Sequence, residues 1–220
     1  AVLVASIGLV LSWEWSRIVR SEPLDAGFII QGAAVVAGVG LTVTGRPGSA
    51  CAVVGVAALL TAWAVRPRQT VLSGLGPLYV GLPAIALVWL RSDWTYGTLA
   101  ILFIYAVVWT TDTFAFVCGK LIGGPKLWPR ISPNKTWSGT LGGLGFATLA
   151  GAALGWSVGH PSPGILAVAG GLLSIAAQIG DLAESSLKRA FGIKHASLLI
   201  PGHGGFMDRM DGIVAAAGVA

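Results

Sequence analysis

The feature that most constrains this sequence is a series of apolar runs, set apart by short breaks of charge, glycine or proline. Only 10% of its 220 residues are charged and 55% are hydrophobic, whereas a water-soluble domain carries about 25% charged residues. So much apolar surface has no place in water, and no polar stretch is long enough for a separate soluble domain. Backbone in lipid must satisfy its own hydrogen bonds, which leaves helices as the economical solution. The expected fold class is therefore an all-α polytopic membrane protein.

The breaks delimit spans at 1–15, 26–44, 49–65, 71–90, 97–118, 138–158 and 164–180, with an eighth beginning near Gly212 and cut short. This predicts about seven transmembrane helices plus a truncated eighth, with Pro77 and Pro83 kinking the fourth. Two regions follow. Residues 1–108 supply N-terminal transmembrane helices, and 109–220 form a second transmembrane region with two charged loops. The first run has no initiator Met, basic flank or cleavage site, so it is not a signal peptide. It is also short for a span, so the sequence reads as a fragment lacking N-terminal helices and most of its last one. Cys51 and Cys118 lie in different spans without metal-type spacing and read as small apolar residues rather than a disulfide.

Charge orients the spans. If they alternate, one side receives Arg17, Arg20, Arg66, Arg68, Lys120, Lys126, Arg130, Lys135, Lys188, Arg189, Lys194 and Arg209, and the other only Arg46 and Arg91. Twelve cations against two place the first group in the cytoplasm. The net charge of +5 is thus a topology signal; no basic face marks a nucleic-acid partner. Gly139, Gly143, Gly151, Gly155 and Gly159 make small-xxx-small steps that suit close helix packing, within the subunit or across a homodimer.

Against this apolar background, one segment stands out. Between Gly180 and Asp211 lie four carboxylates (Asp181, Glu184, Asp208, Asp211) and four cations (Lys188, Arg189, Lys194, Arg209), with a Pro201-Gly202-His203-Gly204-Gly205 turn. Asp181 and Glu184 share a helical face at i, i+3, with Ser185 and Lys188 following at i+4 from each. Asp208 and Asp211 repeat the i, i+3 spacing. Clustered aspartates among cations suit Mg²⁺ with a bound polyphosphate, because Mg²⁺ takes oxygen ligands and shares them with phosphate. Glycine amides at Gly204 and Gly205 could cradle a phosphate, or the turn could simply re-enter the membrane. Asp112, inside an apolar run, implies a polar cavity or partner. In the loop before the sixth span, Ser132-Pro133-Asn134-Lys135-Thr136-Trp137-Ser138-Gly139 offers Lys135 and hydroxyls to a phosphate or lipid headgroup, beside the plainer reading of a positive-inside loop.

Taken together, Ser185-x-Leu187-Lys188-Arg189, then Lys194, then Pro201-x-His203-Gly204-Gly205-x-x-Asp208-Arg209-x-Asp211 closely resembles the signature of the phosphatidate cytidylyltransferase (CDP-diacylglycerol synthase) family. Trp109-x-x-Asp112-Thr113 and the 132–139 segment also resemble motifs of that family. The resemblance covers about 109–211. It departs at His195, where the family pattern has Asp.

The resemblance implies a Mg²⁺-dependent nucleotidyltransferase of phospholipid biosynthesis, CTP + phosphatidic acid → CDP-diacylglycerol + pyrophosphate. It would sit in a bacterial inner (plasma) membrane with its site facing the cytoplasm. It implies Asp181, Asp208 and Asp211 as metal ligands, with or without a second cation, and Lys194 and His203 beside them in catalysis. Lys135, Ser185, Lys188, Arg189, Gly204, Gly205 and Arg209 would then hold substrate, supported by Asp112 and Glu184. Alternatives are a CTP-dependent transferase acting on an ether-lipid phosphate or polyprenol, and an ion-coupled transporter. A transporter should show paired repeats with broken helices; no internal repeat is visible, and the charges collect at one face.

Overall fold

The same glycines, prolines and charges that break the apolar runs end the helices in a computed structural model of the chain, which describes residues 1–22, 24–65, 69–202 and 204–220. Eight helices appear among the described residues: α1 (Val2–Arg20), α2 (Ala26–Val43), α3 (Pro47–Ala64), α4 (Thr70–Ser92), α5 (Gly97–Leu121), α6 (Trp137–Ser157), α7 (Pro163–Ala190) and α8 (Met207–Ala217). A short antiparallel pair, β1 (Lys126–Trp128) with β2 (Ser132–Thr136), interrupts the all-helical pattern in the loop before α6.

Six of these helices (α1 to α5 and α7) are long and apolar enough to cross a membrane, and the protein is an integral membrane protein. Three expectations need adjustment. The first helix continues through Trp15 to Arg20, a 19-residue element long enough to span. α6 is helical as expected but is not among the six, because its glycines dilute its apolar character. α7 does not stop at Gly180; it runs on to Ala190 and carries the charged motif as helix. Pro77 and Pro83 lie inside α4, which remains one element.

The chain divides into two compact units. One comprises Ala1–Gly97 with Ala190–Met210, the other Thr98–Arg189 with Asp211–Ala220. The first packs α1 to α4 around small apolar layers. Val39, Ala84 and Val88 form one and Ala50, Val54 and Ile85 another. Asp25 caps α2 by accepting from the Phe28 amide at 2.8 Å and pairs with Arg20 at 2.6 Å.

In the second unit, glycines bring backbones together. A Cβ at Gly139 would lie 2.6 Å from the Ala115 carbonyl of α5, and one at Gly143 2.8 Å from that of Thr111. A Cβ at Gly151 would strike the Leu166 carbonyl of α7, while at Gly155 it would meet Pro163. These four steps of the small-residue stripe are used within the chain, so the stripe no longer argues for a homodimer. Outward faces remain apolar: Leu102, Leu149 and Leu172 are exposed, as lipid contact requires. Both cysteines are free.

Candidate active site

The second unit holds most of the chemistry. Because α7 continues past the apolar run, Asp181, Glu184, Ser185, Lys188 and Arg189 ride on one helix. The Ser185 hydroxyl donates to Asp181 at 3.4 Å. Glu184 is buried and pairs with Lys188 at 3.3 Å. Gly180 makes room for α8, since a Cβ there would meet Ala215 and lie 3.0 Å from the Asp211 carbonyl.

The hairpin brings in Lys135. Gly123 and Gly124, at φ +66° and +98°, turn the chain out of α5. Ser138 Oγ then donates to the Gly123 carbonyl at 2.5 Å, and Thr136 caps α6 by accepting from the Gly139 amide at 3.1 Å. Lys135, on β2 between these anchors, forms an ion pair with Asp181. Arg189 Nε donates to the Ile131 carbonyl of the same hairpin at 3.5 Å. Asp112 of α5 lies within the fields of Asp211, Asp181 and Lys135.

Asp112, Lys135, Asp181, Glu184, Ser185, Lys188 and Asp211 are therefore brought together as the sequence implied. Burial, and then the Asp181 carboxylate, push the Asp211 carboxyl up to about 6.

The first unit holds the remainder. Ile200 and Gly204 exchange both backbone hydrogen bonds, at 3.0 and 3.2 Å, closing the turn between them. Gly204 has φ +89°, and a Cβ on it would lie 2.8 Å from both Asp208 Oδ2 and His195 Nδ1. Asp208 Oδ2 accepts from the amides of Gly205 at 2.8 Å and Ala196 at 3.2 Å, with His195 Nδ1 3.6 Å away. This corrects one expectation. The Gly204 and Gly205 amides are bonded within the chain, so the glycines serve close packing of the turn rather than a phosphate cradle. Lys194 and Arg209 are exposed. His203 lies outside the described residues.

Among the described residues, no three His, Cys, Asp or Glu side chains form a ready-made metal cage. The oxygen donors of the second unit nevertheless fit Mg²⁺. That ion is commonly held by one or two carboxylates, with waters and phosphate completing its shell. Asp181 and Asp211, whose charges oppose each other, are the pair that a cation would relieve.

Comparison with known proteins decides the class. The model of the cytidylyltransferase family matches residues 1–220, the whole chain. The chain belongs to the cytidylyltransferase family. It is accordingly a nucleotidyltransferase. The phosphatidate cytidylyltransferases of Brucella abortus and Brucella suis are each 41% identical to it over 220 residues, 96% of this chain and 79% of their own length. That of Staphylococcus epidermidis is 42% identical over 134 residues, 60% of this chain and half of the relative.

Two structural features escaped the sequence reading. The hairpin carrying Lys135 has too short and polar a pattern for strands to announce themselves. Glu14 is the other: it lies fully buried in α1. The rule that singles out Asp112, an acid inside an apolar run, would have found it.

Proposed function

We propose that this protein transfers the cytidylyl group of CTP to phosphatidate, forming CDP-diacylglycerol and pyrophosphate at the cytoplasmic face of a bacterial inner (plasma) membrane. The observation that carries this reading is the cluster in the second unit. Asp112, Asp181, Glu184 and Asp211 stand with Lys135 and Lys188 among helices whose outer faces suit lipid. The matched family supports the nucleotide, and the names of the relatives support the lipid acceptor. The cytoplasmic orientation rests on the distribution of cations, twelve against two.

In the proposed reaction, a phosphate oxygen of phosphatidate attacks the α-phosphorus of CTP. The bond from that phosphorus to the β-phosphate bridge breaks, and pyrophosphate carries away the electron pair. The nucleophile is already anionic, so positioning and charge neutralisation dominate over base catalysis. Asp181 and Asp211 would hold Mg²⁺, which when bound supplies charge neutralisation to the triphosphate. Lys135 would exchange its ion pair with Asp181 for a phosphate oxygen. Lys188 and Arg189, at the end of α7, would steady the nucleotide.

The test is acceptor choice by the purified full-length protein in detergent with CTP labelled at the α-phosphate. Label should enter lipid with phosphatidate and Mg²⁺, and remain in the aqueous phase with chelator. Transfer to an ether-lipid phosphate or polyprenol in preference to phosphatidate would replace this reading with the broader lipid-transferase one.

A further inference from the structure

Glu14 is the single acidic residue of α1, and its surroundings exclude water. A buried carboxylate is costly unless hydrogen-bond donors replace its hydration. Here three do so. Glu14 Oε1 accepts from Ser197 Oγ at 2.5 Å and from the Phe206 amide at 2.8 Å, and Oε2 accepts from the Met207 amide at 2.5 Å.

Two of these donors are the backbone amides at the threshold of α8, which begins at Met207. The first amides of a helix have no partners within it and need outside acceptors. Here Glu14, far away in sequence, accepts from Phe206 and Met207, while Asp208 of α8 reaches back to accept from Gly205. Gly205 completes the arrangement, because a Cβ there would lie 2.7 Å from Glu14 Oε1 and 2.8 Å from the Ser197 amide. The carboxylate occupies the space that a side chain would take.

We infer that Glu14 is a positioning residue for nucleotidyl transfer: its carboxylate clamps the 196–207 loop to α1 and so fixes where α8 starts and how Asp208 is held. The clamp sets Asp208 directly, through the turn that both residues bind. Glu14 itself touches no substrate. Ser197, which binds the carboxylate from the opposite side of the loop, belongs to the same device. The inference rests on the reading of Asp208 as a site residue.

Glu14→Gln keeps the size but removes the charge, and turns an N–H toward one of the three donors. Two readouts follow. Without any substrate, amide hydrogen exchange at Phe206 and Met207 should quicken about tenfold or more, while α2 to α4 keep their protection. In turnover, KM for Mg²⁺ should rise at least fivefold and kcat fall about tenfold or more, with KM for phosphatidate unchanged. A stability loss alone would reduce the active fraction and leave every KM in place, and that result overturns the inference. Unchanged exchange at Phe206 and Met207 also overturns it. If Glu14→Gln does not accumulate, Ser197→Ala carries the test. It removes one donor and should raise KM for Mg²⁺ about threefold at unchanged melting temperature; an unmoved KM sinks the clamp. If the wild type transfers nothing to phosphatidate, the functional reading fails, while the exchange data still judge the clamp.

Discussion

Asp208 shows how one carboxylate can hold a turn together. Its oxygens accept from two backbone amides, those of Gly205 and Ala196. Asp208→Asn keeps one acceptor and loses the charge, so it should cost about 1–2 kcal/mol of stability, read as a melting temperature lowered by a few degrees. Asp211 behaves differently. Its carboxyl is pushed up to about 6 by burial and by Asp181, so below that pH a proton competes with any cation. The folded-state value lies above the ordinary 3.8. In cation-free protein, its contribution to stability is therefore full below about 3.8 and lost as pH rises through about 6. The Mg²⁺ concentration for half-maximal activity should accordingly increase about tenfold between pH 8 and pH 5. A pH-independent requirement would remove Asp211 from the cation site.

The elements bring these residues together by close backbone approach. Gly180 lies where α7 meets α8, with Ala215 and the Asp211 carbonyl against it. Gly180→Ala should force α8 outward, costing about 1–3 kcal/mol and most of the activity; a melting curve and a turnover assay on one preparation check both. The β1–β2 hairpin delivers Lys135 to Asp181. Lys135→Met should raise KM for CTP or phosphatidate about tenfold or more with kcat less affected, as expected for lost binding.

Much of this level was legible in the sequence. Apolar runs located every helix, because hydropathy and glycine or proline breaks act locally. The hairpin, the overrun of α7 beyond Gly180 and the internal bonding of Gly204 and Gly205 were not legible. Each depends on tertiary partners: Ser138 to Gly123, Gly180 to Ala215, Gly204 to Ile200. Clustering of Asp112, Lys135, Asp181 and Asp211 could be inferred from spacing and topology, whereas the direction in which Asp208 points could not.

At the scale of the whole molecule, six of the described helices are fit to cross a membrane and carry apolar outer faces, and the acids and cations gather in the few stretches where the pattern breaks. The matched family gives the reaction class, and the cluster in the second unit is the location we propose for it. Such a site holds like charges together at a cost to stability, as functional sites commonly do. Removing one acid should therefore leave the fold intact while ending the chemistry. The most direct test is formation of labelled CDP-diacylglycerol by purified wild-type, Asp181→Asn and Asp211→Asn proteins at saturating CTP, phosphatidate and Mg²⁺. Each variant should lose activity by about a hundredfold or more, with a melting temperature equal to or above that of the wild type. Variants that keep about a third of the activity or more would contradict the placement of the reaction at these carboxylates.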